Sequence, residues 1–370
     1  MHLIHLLERV PPAFDGIGDF ALILSRRLEE IGACSNALLP MRETGATEND
    51  RQLSDFTDYR TRIEAEINRH RSRHPGDRIA LLLHFNRGGF HPHGLHFHLN
   101  SLLGSLKKSF GLPLFVFFHE FLPSRAPRRL HRWLRPVQVA AARRLIRAAS
   151  HCFTNNEVYA KRIAGICPGA TPEVAPIFSN IGEPDPSDTG GKEPGSWVIF
   201  GSADRARNSL RGLERMVKAG ELALKPSVIR VVAGGRKMEA LTAQVSKLSD
   251  LGVQVEVLPN LPAPEVSAVF QKSEFFFTDY LADMDEPWLD MLLKSGTFAA
   301  ANSHGVITVT PKDGLGWMTA SGHPGLVFLN QAEQGRDAAK LNPAALRTWY
   351  HNRCHSRNLA ARMKAAMESF

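Results

Sequence analysis

Lys294-Ser295-Gly296-Thr297-Phe298-Ala299-Ala300-Ala301-Asn302-Ser303-His304-Gly305 lies between the apolar runs Phe275-Phe276-Phe277 and Val306-Ile307-Thr308-Val309. The flanking runs read as short buried strands. The segment has helix length, is opened by hydroxyl and glycine residues suited to an N-cap, and is closed by a glycine suited to the position after a C-cap. A helix N-terminus presents unpaired N–H groups and a partial positive charge, and Lys294 adds a full charge beside them. The pattern therefore predicts a site for a phosphate or carboxylate. The plain alternative is an ordinary strand-to-helix turn with a surface lysine.

Outward from this stretch the same alternation continues. Trp197-Val198-Ile199-Phe200, Val228 to Val232, Val253 to Leu258, Phe275 to Thr278 and Val306 to Val309 form one strand-like series. Leu3 to Leu7, Ala33 to Leu39, Ile79 to Phe85, Leu114 to Phe118 and His151 to Thr154 form another, with helical spacing between, as in Phe20, Ala21, Ile23, Leu24, Leu28 and Ile31. Alternating strands and helices predict parallel sheets covered by helices, an α/β class of two doubly wound Rossmann-like domains facing a central cleft. Gly182 to Gly195 is poor in apolar residues and rich in Pro and Gly, a linker signature. The expected organisation is a first domain over residues 1–182, a linker 183–195, and a second domain 196–349.

The chain has 370 residues, 43% hydrophobic and 22% charged, enough for two domains with ordinary cores. No stretch has the length of a membrane span, and the N-terminal apolar run is interrupted by Glu8 and Arg9, too early for a signal segment. The four cysteines, Cys34, Cys152, Cys167 and Cys354, show no CxxC spacing, which points to reduced thiols and a cytoplasmic setting and away from structural metal. A formal charge of +8 favours an anionic partner, whether phosphorylated metabolite, nucleic acid or acidic membrane surface.

Several segments that follow strands carry candidate chemistry. Asp15-Gly16-Ile17-Gly18-Asp19 lets backbone approach a phosphate or sugar at Gly16 and Gly18, or else is a tight turn; it lacks the third glycine of the dinucleotide fingerprint. Phe200-Gly201-Ser202-Ala203-Asp204-Arg205-Ala206-Arg207-Asn208 offers Arg205 and Arg207 to a diphosphate, although arginines on loops are commonly only solvated. Gly234-Gly235-Arg236 adds a second close-approach segment on that edge. His119-Glu120 follows a strand apolar on both faces, which predicts a histidine at the sheet edge where ligands bind, able to hydrogen-bond a sugar hydroxyl or leaving group, although a lone histidine among sixteen is more often structural. His91, His93, His96 and His98 invite a metal reading, but no acidic partner is nearby. Arg125 to Arg147 is arginine-dense with Leu130, Trp133, Leu134 and Leu145 interleaved, which reads most plainly as a solvated helix face, or else as a peripheral contact with an anionic membrane or a phosphorylated acceptor.

In order, Gly16-Ile17-Gly18-Asp19, Phe118-His119-Glu120, Val174-Ala175-Pro176-Ile177, Phe200-Gly201 through Arg207-Asn208, Leu258-Pro259-Asn260-Leu261-Pro262 with Glu265-Val266, and Lys294-Ser295-Gly296-Thr297 with His304-Gly305-Val306 resemble the loops of GT-B glycosyltransferases. The resemblance is to the retaining, metal-independent branch grouped as family four, and it runs through most of the chain; it implies that the C-terminal helix from Pro343 packs back onto the first domain, so that residues 350–370 join residues 1–182. It implies transfer of a sugar from a UDP- or GDP-linked donor to a saccharide, lipid-linked or small-molecule acceptor, with no cofactor, no metal and no nucleic-acid partner. It also implies His119, Lys294 and Arg207 at the reacting groups, and Gly16, Gly18, Gly201, Arg205, Gly234, Ser295, Gly296 and Thr297 around the donor. One departure stands out. Most members carry two glutamates in the last segment, at places occupied here by Leu292 and Ala300. Glu286, Asp290 and Asn302 are the polar candidates to replace them.

Two other classes remain open on sequence. A non-catalytic nucleotide-sugar-binding protein suits the missing glutamates. A dinucleotide-dependent oxidoreductase suits the alternation, but neither half carries the full Gly-x-Gly-x-x-Gly with its downstream acidic residue.

Overall fold

The computed structural model describes residues 1–11, 16–42, 56–91, 93–122, 129–188, 190–220, 222, 224–235, 238–279, 291–311, 322–328 and 342–370. Two compact units result, Met1–Pro176 with Ser356–Phe370, and Ile177–His355.

The first unit is built on a parallel sheet of β1 (His2–Leu7), β2 (Ser35–Pro40), β3 (Ile79–Phe85), β4 (Leu114–Phe118), β5 (His151–Thr154) and β6 (Glu173–Val174), in the order β2-β1-β3-β4-β5-β6. Every residue of β1, β3 and β4 is buried, which matches their mostly apolar runs, interrupted only by His2, His5 and His84, and requires cover on both faces. That cover comes from α1 (Gly16–Glu30), α2 (Phe56–Arg73), α3 (Phe97–Phe110), α4 (Arg129–Ala148) and α5 (Glu157–Ile166). The inward face of α1 is Phe20, Ala21, Leu24 and Leu28, the spacing read from sequence. Fully burying a side chain such as Phe115, Phe117 or Phe118 contributes about 1.5–3 kcal/mol.

The second unit repeats the plan with β7 (Glu193–Ser202), β8 (Val228–Gly234), β9 (Val255–Pro259), β10 (Ser273–Phe277), β11 (Ile307–Thr310) and β12 (Val327–Phe328), in the order β12-β11-β10-β7-β8-β9, all parallel. Side chains alternate across this sheet. Trp197, Ile199, Phe275 and Phe277 pack on one face with Leu210 and Leu213 of α6 (Ala203–Ala219) and Leu241 of α7 (Met238–Ser249). Val198 and Phe276 pack on the other with Val266 and Phe270 of α8 (Ala263–Lys272) and Ala300 and Ala301 of α9 (Gly296–Ser303). Helices on both faces of a parallel sheet make each unit doubly wound.

Residues 183–195, linker-like in sequence, lie in the second unit. Tyr350 Oη donates to Glu183 Oε1 at 2.6 Å, and Arg347 Nε donates to Pro186 O at 3.1 Å. Lys192 Nζ donates to Phe270 O at 3.0 Å and His304 O at 2.9 Å, at the C-terminal ends of α8 and α9. The segment from Pro343 is two helices, α10 (Pro343–Arg353) in the second unit and α11 (Ser356–Glu368) against α1 in the first. The four cysteines are free and buried. Among the described residues no helix is long and apolar enough to cross a membrane.

Gly305 ends α9 with φ +61°, and a Cβ there would lie 2.8 Å from Pro343 O. Gly305→Ala should therefore destabilise the second unit by about 2–4 kcal/mol, combining left-handed strain with overpacking. Gly220 ends α6 at φ +69° with nothing within 4 Å of a Cβ. Gly220→Ala should lose only the backbone term, about 1–2 kcal/mol. Equal urea-unfolding losses for the two variants would remove the packing argument.

Candidate functional site

In the second unit the strand order reverses between β7 and β10, and ligands of doubly wound sheets bind outside the carboxyl ends of the strands at such a point. β7 ends at Gly201-Ser202, and Ser202 caps α6, its hydroxyl accepting from Arg205 N. Gly201 has φ +153°, a region that favours glycine, and a Cβ there would reach Thr297 Cγ2 at 4.0 Å. Thr297 sits in the first turn of α9, whose cap is Ser295: its hydroxyl accepts from Phe298 N at 3.4 Å and lies 2.8 Å from Thr297 Oγ1. The N-termini of α6 and α9 therefore converge beside Gly201, and their partial positive charges add. Lys294, half-buried, immediately precedes the α9 cap, and Gly234 pairs in register with Ser202. Gly201, Gly234, Ser295, Gly296 and Thr297 are thus placed on one sheet edge.

The arginines are placed differently from their sequence reading. Arg205 and Arg207 belong to the first two turns of α6 and not to a loop, because Ser202 starts the helix early. Arg205 is exposed. Arg207 pairs with Asp204 at 3.1 Å, while its buried Nε has no hydrogen-bond partner among the described residues. Leu292 and Ala300 are 1% and 0% exposed, so the places where most members of the resembled branch carry glutamates are buried here. Asn302 does not replace them at a ligand: it is buried, donating to Phe298 O at 2.9 Å and lying 2.9 Å from His323 Nε2. Glu286, Asp290 and Arg236 lie outside the described residues. Sequence reading missed Asp279, two residues past β10, held by Arg215 at 3.0 Å and by its own N–H to Ser209 Oγ. Gly212 of α6 leaves room for that carboxylate, whose carboxyl carbon would lie 2.8 Å from a Cβ.

In the first unit the order reverses at β1 and β3. Gly16 and Gly18 form the first turn of α1, where a loop was read, and Asp15 lies outside the described residues. Gly18 answers a packing need of its own chain, since a Cβ there would stand 2.7 Å from Arg9 O. His119 follows β4 and is buried, its carbonyl accepting from Asn155 Nδ2 at 2.8 Å. Its ring meets Phe20 of α1 edge-on, with centroids 4.7 Å apart. His84 and His5, which sequence reading did not single out, continue from His119 as a hydrogen-bonded row. Their period in β1 and β3 is indistinguishable from that of core residues, so no local signal marks them. Of the histidine cluster, His91 Nδ1 accepts from His93 N and Leu95 N, which closes a turn, and no metal-like group occurs among the described residues. In α4, Trp133 is 82% exposed and Arg143, Arg144 and Arg147 are exposed; Arg125 and Arg128 lie outside the described residues.

Burial holds the histidines neutral. It pushes His5 to about 4, His119 to about 3 and His84 well below 6.5. It likewise takes His96 and His304 to about 4 and His323 to about 3. These bases have folded values below their unfolded value, so unfolded chains bind more protons between them. Stability is then complete above about pH 6.5 and is lost as pH falls toward 4. The midpoint of urea unfolding should drop between pH 7 and 5, above the range of carboxylate titration, with each such histidine adding up to about 1.4 kcal/mol per pH unit. A flat profile over that interval would show that these rings titrate in the folded chain as they do in the unfolded one.

No protein-family model and no curated protein matches the chain. Solved structures do. A glycosyltransferase from Rickettsia africae is 11% identical with a TM-score of 0.61, covering 99% of this chain and 97% of the other. Anabaena Alr3699/HepE, solved with UDP and glucose, is 12% identical with a TM-score of 0.59, covering all of both chains. The N-terminal domain of Candida albicans trehalose-6-phosphate phosphatase is 11% identical with a TM-score of 0.56, covering 99% and 96%. The fold is the two-unit α/β arrangement of GT-B glycosyltransferases. At these identities the likeness speaks for fold alone, and the activity has to be argued from the residues.

Proposed function

We propose that the chain transfers a sugar from a nucleoside-diphosphate sugar to an acceptor hydroxyl. The observation that carries this reading is the convergence of the α6 and α9 N-termini at Gly201 and Thr297, with Lys294 beside the cap. As the glycosidic C–O bond breaks, the bonding electrons leave with the diphosphate and negative charge grows on its oxygens. Preorganised N–H dipoles and a cation stabilise that charge more in the transition state than in the bound donor. The Ser295 and Thr297 hydroxyls and the amides of Gly296 and Thr297 supply directional donors, and Lys294 and Arg207 supply charge. The Anabaena neighbour, solved with UDP, is consistent with a uridine donor. The reading includes retention of anomeric configuration, the acceptor attacking on the face from which the diphosphate departs, and turnover without a divalent ion. His119 meets a substrate hydroxyl.

A second reading is favoured by the sealed positions of Leu292 and Ala300: a nucleotide-sugar-binding protein without turnover. One experiment separates the two. Thermal shift against UDP, GDP and their sugars finds the ligand, since a ligand bound only to the folded state raises apparent stability. Proton NMR of the stabilising donor with mixed acceptors then follows its anomeric signal. Donor consumption with a retained anomeric configuration in the product is the expected result. A raised melting temperature without consumption supports the binding protein, and no shift with any nucleotide rejects both.

A further inference from the structure

Three buried histidines and one amide form a single row across the first sheet. Asn36 of β2, His5 of β1, His84 of β3 and His119 after β4 follow the strand order. His5 Nε2 lies 3.0 Å from Asn36 Oδ1, His5 Nδ1 lies 3.0 Å from His84 Nε2, and His84 Nδ1 lies 3.1 Å from His119 Nε2. His119 Nδ1 ends the row with no hydrogen bond among the described residues.

The direction of the row follows from its first member. Asn36 Nδ2 is surrounded by oxygen acceptors, Ser25 O at 3.0 Å, Glu29 Oε1 at 3.1 Å and Cys34 O at 3.3 Å. An amide nitrogen fits there and an oxygen does not, so the oxygen faces His5. Oδ1 can only accept, so His5 carries its hydrogen on Nε2. A neutral ring then has a bare Nδ1, which accepts from His84 Nε2–H, and the same step places a hydrogen on His119 Nε2. Adding a proton to His5 or His84 would set donor against donor. Burial opposes that charge in all three rings, and His2 acts against it on His5 as well. Phe20 packs edge-on against both His84 and His119, which restrains ring rotation.

We propose that Asn36, His5 and His84 are positioning residues that lock His119 as the Nε2–H tautomer, so that its Nδ1 acts solely as an uncharged acceptor. This end of the first unit then selects a group that donates a hydrogen bond, such as a sugar hydroxyl, and discriminates against a phosphate or carboxylate oxygen. The hydroxyl as occupant rests on the glycosyl-transfer reading; the tautomer does not.

The test is two-bond proton–nitrogen correlation on the full chain labelled with nitrogen-15 histidine, at pH 7 and without ligand, the His119 signals being those lost in His119→Gln. The expected pattern is a protonated Nε2 and a bare Nδ1 at His119, unchanged down to pH 5.5. His84→Leu removes the acceptor and should move His119 to a tautomer mixture that titrates at higher pH. A protonated Nδ1 or a charged ring at His119 in the unsubstituted chain overturns the proposal whether or not His84→Leu folds, as does an unaltered His119 signature in a folded His84→Leu. The expected signature in a chain that consumes no nucleotide sugar would refute the transfer reading and leave the row intact.

Discussion

Lys294→Ala should lower kcat for sugar transfer about tenfold to a thousandfold at saturating donor. The size follows from where the charge sits and when it is needed. Lys294 directly precedes Ser295, the cap of α9, and is half-buried, so its charge is incompletely screened by solvent. The donor diphosphate already carries charge in the ground state, but the oxygen that joined it to the sugar gains more as the C–O bond breaks, and only that increment raises kcat. Ser295 still caps the helix in the variant, and the apparent melting temperature should stay within a few degrees of the parent, which separates lost catalysis from lost folding. Lys294→Arg keeps a cation and should retain part of the rate, limited because a planar fork does not reproduce a point charge. If Lys294→Ala raises KM while kcat at saturation is unchanged, the lysine contributes uniform binding and has no role in the departure step.

Much of this arrangement was legible in sequence because it rests on local rules. The Ser295 cap, the α9 helix and Gly305 after it follow from residue type and spacing alone, and the buried strands β1, β3 and β4 are mostly apolar runs. What failed to show was set by tertiary contacts. Gly182 to Gly195 resembles a linker since its ties are polar: Glu183 to Tyr350, Pro186 to Arg347 and Lys192 to two helix-end carbonyls, all to residues distant in sequence. Arg205 and Arg207 were read as loop residues because Gly201-Ser202 looks like the start of a longer turn, whereas Ser202 already caps the helix. β12, of two residues, carries no periodic signal. Gly18 admits two sequence readings, close approach of a ligand or a tight turn, and the contact that occupies the space it leaves, the backbone of Arg9, is not marked by any local pattern. The histidine row is invisible for a related reason. It is a non-local juxtaposition across parallel strands, and His5 and His84 substitute for apolar residues without breaking the buried pattern.

His119→Ala should reduce transfer by about a hundredfold or more while leaving nucleoside-diphosphate affinity nearly unchanged. The two outcomes diverge because the residues differ in kind and in place. On the proposed reading the diphosphate meets helix N-termini and cations of the second unit, whereas His119 belongs to the first and is held by His84 and Phe20 as an uncharged acceptor. An uncharged acceptor adds nothing to diphosphate binding; it fixes the orientation of a hydroxyl, and orientation enters the rate through the fraction of complexes that are ready to react. Alanine also removes the partner of His84 Nδ1, and that nitrogen lies inside the sheet, so a stability loss of about 1–3 kcal/mol should accompany the kinetic one. His119→Gln presents a side-chain oxygen as acceptor and should recover part of the rate. The measurement pairs calorimetric affinity for the nucleoside diphosphate with single-turnover transfer on the same preparation, with EDTA throughout. Equal losses in affinity and rate would place His119 among the diphosphate contacts and reject its assignment to a hydroxyl. Abolition of the parent's turnover by EDTA, restored by a divalent ion, would reject the mechanism in which helix dipoles, Lys294 and Arg207 offset the leaving-group charge without a metal.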